Sequence, residues 1–161
     1  MKRASLIGLL AALTVVAAVA QAGPDFSGLW KPGDAVSTPL PPPTPGGPPP
    51  PPRTVSTSLT QSATELKVDR RVEMDGRETV QTFVYKLDGA ESVNQMGPLV
   101  FRTKAAWDGA ALVLSSVISI DGKAMGESRD VYRLENGQLI VETRRQTPAG
   151  TFTARGVNTK G

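Results

Sequence analysis

Residues Leu99 to Gly122 read LVFRTKAAWDGAALVLSSVISIDG. Leu99, Phe101, Thr103, Ala105 and Trp107 fall on one side of an extended chain, and Leu112, Leu114, Ile118 and Ile120 do the same in the second half. A period of two with one apolar side is a β-strand with one buried face. Asp108-Gly109 stands between the two runs. Asp-Gly in that position signals a two-residue hairpin, because a type I′ turn needs positive φ at both central residues. The stretch therefore predicts two antiparallel strands.

Working outward, the unit repeats. Downstream, Asp121-Gly122 turns, Ser128 to Leu134 is a strand, Asn136-Gly137 turns, and Leu139 to Thr147 is a strand. Pro148-Ala149-Gly150 then leads to a last strand, Thr151 to Val157, with Asn158 to Gly161 expected to fray. Upstream, strands are predicted over Thr54 to Gln61, Glu65 to Glu73 and Glu78 to Leu87, with turns at Ser62-Ala63-Thr64, Asp75-Gly76 and Asp88-Gly89. Ala90 to Pro98 reads as a longer connection broken by Gly97-Pro98. No segment carries a helical stripe of useful length. Short turns between successive strands make sequential antiparallel neighbours. So many strands cannot stay flat, because twist accumulates and the edges stay open to other chains. The expectation is an all-β, antiparallel up-and-down meander closed into a barrel of about 8–10 strands, the size at which an interior holds side chains or one small ligand.

The beginning of the chain is of another kind. Met1-Lys2-Arg3 is basic, Leu6 to Ala20 is apolar, and Ala20-Gln21-Ala22 fits a small-x-small cleavage rule. Residues 1–22 read as a secretory signal peptide cut between Ala22 and Gly23, which places the protein in the periplasm or outside the cell. The apolar run is short for a membrane span, so no stable membrane anchor is expected after cleavage. Residues 23–38 read as the first strand of the barrel and 54–161 as the meander that completes it. Between them lie residues 39–53. Ten of the 14 residues from Pro39 to Pro52, PLPPPTPGGPPPPP, are proline. Proline lacks an N–H and fixes φ, so this is an exposed polyproline-II loop or linker. A docking segment for a proline-binding module is the rival reading; the protein partner it would need is unknown, and export weighs against it.

Composition excludes much chemistry. The chain has 18 Lys+Arg and 15 Asp+Glu; without Lys2 and Arg3 the balance is 16 to 15, about +1, with no basic stripe for a nucleic acid. There is no Cys and no His. Disulfides, Cys/His zinc sites, Ser-His-Asp and Cys-His pairs, and imidazole bases are all absent. The chain reads as a non-enzyme with no cofactor.

Phe26-Ser27-Gly28-Leu29-Trp30-Lys31 resembles the F-x-G-x-W-K opening of the calycins, the lipocalins and fatty-acid-binding proteins. With Ala106-Trp107-Asp108-Gly109 followed by Leu112, and Asn136-Gly137-x-Leu139, it looks like a group of small exported bacterial proteins with a lipocalin-like barrel and no assigned activity. The resemblance covers most of residues 25 to 157. It implies a barrel with an apolar cavity, closed at one end by Gly28, Trp30 and a basic residue of the last strand laid over the indole. Arg155 is the candidate for that contact. Two departures stand against fatty-acid binding specifically: the proline run sits where those proteins carry a helical lid, and the last strand lacks their Arg-x-Tyr pair.

Polar residues in register with the apolar face are the site candidates. Arg70 lies between Val68 and Val72, Asp130 is in register with Tyr132, and Arg145 with Leu139, Val141 and Thr143. A buried charge is costly unless paired. These groups either pair, orient an anionic or amphipathic ligand, or stand in water at a rim. Phe83 and Phe101 complete the candidate lining, and their ordinary role is core filling. The leading expectation is a carrier of a small hydrophobic or amphipathic ligand. The alternative is a solid barrel acting as an interaction or envelope-associated module through its surface or its proline-rich segment.

Overall fold

A computed structural model describes residues 23–37, 53–74 and 76–161. The signal-peptide reading of residues 1–22 and the proline run 39–52 lie outside the described residues. Ten strands follow in order: β1 (Gly28–Ser37), β2 (Arg53–Gln61), β3 (Glu65–Met74), β4 (Arg77–Lys86), β5 (Ser92–Met96), β6 (Leu99–Asp108), β7 (Ala111–Ile120), β8 (Lys123–Glu135), β9 (Gln138–Thr147) and β10 (Gly150–Lys160). All pairings are antiparallel, in the order β4-β3-β2-β1-β10-β9-β8-β7-β6-β5. The first strand joins the last, so the meander curls into a nearly closed barrel. β1 serves both neighbours: Gly28 to Trp30 pair with Leu59 to Thr57, while Trp30 to Ser37 follow β10 through an irregularity between Pro32 and Ala35.

The core sits inside the barrel, built from the alternation that the sequence displays. Leu112, Leu114 and Ile118 of β7 are buried, as are Leu66 and Val68 of β3 and Leu139 of β9. Thr103 and Ser116, inward-facing neighbours across β6 and β7, share a buried hydrogen bond of 2.8 Å.

Four details differ from expectation. The hairpin between β6 and β7 turns one residue later: Asp108 pairs with Ala111, and Gly109 takes φ +60° as the first central residue. That is the pattern of a type II′ turn, which needs only one positive φ, and so Ala110 fits second. The next turn, Asp121-Gly122 at φ +48° and +77°, has the expected two positive values. β8 starts at Lys123, five positions before the predicted strand, and bulges between Ile118 and Ser119 of its partner. The C-terminus does not fray, because β10 runs to Lys160 and the Gly161 N–H donates to the Leu29 carbonyl at 2.9 Å.

The fourth is a missed strand. β5 lies inside the predicted connection 90–98, and its pattern is inverted: Ser92 and Asn94 are 5% and 8% exposed while Val93 is 58% exposed. The sheet's two ends, β4 and β5, meet here without a backbone ladder among the described residues. Side chains close the seam. Asn94 Oδ1 accepts from the Val84 N–H at 2.8 Å and its Nδ2 donates to the Val84 carbonyl at 3.0 Å. Ser92 Oγ accepts from the Lys86 N–H at 2.7 Å. One carboxamide thus imitates a strand's N–H and C=O, satisfying backbone groups that burial would otherwise leave unpaired.

Candidate functional site

One end of the interior is a floor of stacked rings. Residues 23–27 precede β1 and bring Phe26 inside, where it is fully buried. Phe26 stacks on Trp107 at 5.9 Å and meets Tyr132 edge-on at 6.2 Å. The segment is fixed by Gln61, whose Oε1 accepts from the Phe26 N–H at 3.0 Å and whose Nε2 donates to the Pro24 carbonyl at 3.1 Å. Trp30 is buried, with Nε1 donating to the Phe26 carbonyl at 2.9 Å.

The basic residue over the indole is Lys160, not Arg155. Lys160 Nζ lies 5.8 Å from the Trp30 ring centroid, and the register sets Trp30 opposite Lys160. Parity explains the correction. Ala154, Gly156, Asn158 and Lys160 share one side of β10, and Arg155 projects from the other. There it lies 3.6 Å from both Glu135 and Glu142, beside Arg133. Gly28 takes φ +144°, a backbone conformation that L side chains rarely adopt, whereas a Cβ there would make only ordinary contact, 3.4 Å, with Lys160 Cε.

Above the floor an open cavity of about 260 Å³ is lined by Arg70, Tyr132, Leu139, Val141, Thr143 and Asn158, with Thr57 and Ala154 among its further walls. β3 presents Arg70 one alternation beyond the buried Val68, so the guanidinium rides on the inner face. It stands 5.5 Å over the Phe83 ring, and Nη2 donates to Tyr132 Oη across 3.5 Å, a weak contact. No carboxylate lies in ion-pair contact with it among the described residues. Burial opposes its charge, the Tyr132 and Tyr85 hydroxyls and Asp130 offset that, and the guanidinium stays protonated with its pKa raised. Asp130 faces inward but is engaged elsewhere, accepting from Thr143 Oγ1 at 2.5 Å and Ser128 Oγ at 3.3 Å. The internal Arg–Asp ion pair considered from sequence is therefore not formed.

The structure brings Arg70, Tyr132, Asp130 and Phe83 into one neighbourhood. Phe101 packs edge-on to Phe83 at 5.8 Å, within the core cluster and not on this cavity's wall. Arg145 is exposed, opposite Ser128 and Phe152. Sequence reading missed Thr143 and Asn158. Thr143 was legible as an inward parity position of β9; Asn158 was hidden by the expectation of a frayed end, and its Nδ2 donates to the Leu139 carbonyl at 3.1 Å.

Tyr85 and Tyr132, the chain's two tyrosines, are both buried, and burial pushes both hydroxyls above their usual pKa near 10. An unfolded tyrosine ionises at about pH 10, whereas in the barrel neither does so there. The folded state therefore holds protons that the unfolded state releases. This contribution to stability is fully present below about pH 10 and declines as pH rises beyond it. Near-ultraviolet absorbance should show no tyrosinate until structure is lost cooperatively. A smooth ionisation near pH 10 with circular dichroism unchanged would contradict this placement.

These features define the class: a ten-stranded, nearly closed antiparallel barrel with a ring-packed floor and a cationic side chain facing an interior cavity. Solved structures of the same shape carry the comparison further. The zebrafish ileal bile acid-binding protein, solved with cholic acid, superposes with a TM-score of 0.55 at 13% identity, covering 84% of this chain and 98% of that one. The REP1-NXSQ fatty acid transporter gives 0.56 at 9% identity, covering 84% and 95%. At such identities the likeness establishes the fold, a calycin or lipocalin-like barrel. No family model and no curated protein sequence matches the chain.

Proposed function

We propose that this protein is an exported, non-catalytic carrier of a small amphipathic molecule whose anionic head meets Arg70. The observation that carries the reading is a charged guanidinium facing an open interior cavity, with no carboxylate in ion-pair contact with it among the described residues. Desolvating such a charge is costly, and an anion arriving with two acceptor oxygens offsets that cost. Tyr132 Oη and Thr143 stand beside it as further polar partners, and Leu139, Val141 and Ala154 supply the apolar wall. Arg145, exposed on the same face of β9, does not line this cavity. Ordinary small-molecule pockets begin at about 300 Å³, so a cavity of about 260 Å³ favours a compact ligand over a long acyl chain. Export rests on the signal-like residues 1–22, and the absence of His and Cys supports a role without turnover.

Native mass spectra of protein purified from an exporting host should carry an extra mass that denaturation removes. An anionic fluorescent probe should bind the emptied barrel, and Arg70→Met should weaken it about 10–100-fold, the range for losing one charge-assisted contact. Arg70→Met should not lower the melting temperature, since it removes a charge that burial opposes and that no ion pair among the described residues compensates. A bare mass together with no probe uptake overturns the reading. The solid-barrel alternative is favoured by one observation: seven of the eight aromatic residues, all but Phe152, belong to the packed interior.

A further inference from the structure

We propose that the outer face of the barrel binds a small phosphate monoester between Arg129 and Arg144, independently of the interior cavity. The strand registers put Lys104, Ser115, Arg129, Arg144 and Thr153 side by side in one row across β6, β7, β8, β9 and β10. All five are exposed. Arg129 and Arg144 are direct cross-strand partners, and like charges so placed destabilise a sheet. The other like-charged cross-strand pair on the outer surface, Glu73 opposite Glu78, has a cation at hand, since Glu78 also meets Arg71, and other outer arginines are paired. Arg102 takes Glu91 at 2.7 Å, Arg133 takes Glu142 at 2.7 Å, and Arg71 takes Glu78 at 3.6 Å. Lys104, Arg129 and Arg144 have no ion pair among the described residues. Glu142, the nearest carboxylate on one side, is already shared by Arg133 and Arg155.

An open groove of about 390 Å³ lies over the two arginines, lined by Ser115, Val117, Glu127, Arg129, Arg144 and Gln146. The donor set selects the ligand. A carboxylate has two oxygens and is satisfied by one guanidinium fork. Two neighbouring forks lining one groove with Ser115 and Gln146 call for a tetrahedral anion with three free oxygens. Glu127, in the next row opposite Val117 and Gln146, excludes anions from its end of the groove and so fixes where the phosphate sits and which way the ester's body points.

The test compares melting in glycerol phosphate with melting in chloride at equal ionic strength, for the natural protein and for R129Q/R144Q. At a few times the dissociation constant the ester should raise the melting temperature by about 2–4 °C. The double variant should melt no lower in chloride, because a repulsion is relieved, and should lose that increment. Arginine side-chain N–H resonances of Arg129 and Arg144 should shift saturably in the same titration. An equal increment in both proteins would mean a general salting effect, and binding seen only with anionic phospholipid vesicles would mean a membrane-facing patch; either result overturns the proposal.

Discussion

Phe26→Ala should cost about 3–5 kcal/mol of folding stability, the range for emptying a fully buried phenylalanine site. Phe26 is 0% exposed and touches the barrel from an unusual direction, since it precedes the first strand and enters through the floor. Its ring is stacked on Trp107 and edge-on to Tyr132, so its loss leaves two aromatic faces without a neighbour. Such pairs are worth about 0.5–1.5 kcal/mol beyond area burial. The surroundings cannot collapse easily, because the Trp30 indole is tied to the Phe26 carbonyl and the segment to Gln61. Urea unfolding followed by circular dichroism and by tryptophan fluorescence measures the effect. A loss below about 1 kcal/mol, the scale of an ordinary surface change, would show that the N-terminal segment is not part of the packed floor. Phe26→Leu, which keeps most of the volume, should recover much of the difference.

The ease of reading this chain follows from where its polar groups go. Along β7 the inward residues Leu112, Leu114, Ile118 and Ile120 are apolar, broken only by Ser116, whose hydroxyl is met by Thr103, and there period-two alternation exposed the barrel. The turn at Asp108-Gly109 was seen but misplaced by one residue, since Gly109 fits the first central position of one turn type and the second of another. β5 was invisible for a stronger reason. Its inward residues pair with backbone across the seam, so Ser92 and Asn94 occupy positions where a pattern search wants Val or Leu. The candidate site was legible in part: Arg70, Asp130 and Tyr132 all betrayed themselves as polar or amphipathic residues in an apolar register. What Asp130 would bond to was not legible, because Thr143 and Arg70 lie on different strands and only the register chooses between them. The same holds at the floor, where basic residues sit on both faces of β10 and the pairing with β1 selects Lys160 over Arg155.

Asn94→Ala should destabilise the barrel by about 1–3 kcal/mol, since it strips the partners from a partly buried N–H and a partly buried C=O, whose loss costs up to about 1–3 kcal/mol each where burial is complete. Backbone hydrogen bonds close every other junction in the sheet order, and a single side-chain loss there would be absorbed by the ladder. At the β4–β5 seam there is no ladder to absorb it, and the Val84 amide and carbonyl depend on one carboxamide. The effect should be local before it is global. In native-state hydrogen exchange the Val84 amide should lose its protection, whereas the Lys86 amide, held by Ser92, should keep most of its own. Asn94→Asp discriminates further. It retains an acceptor for the Val84 N–H but puts a second acceptor against the Val84 carbonyl, so it should be at least as damaging as alanine near neutral pH and recover as the carboxyl protonates at about pH 4, where one oxygen becomes a donor. Unchanged exchange at Val84 in Asn94→Ala would mean that the seam is held by the packing of β4 on β6 alone, and that the inverted pattern of β5 has no role in closing the barrel.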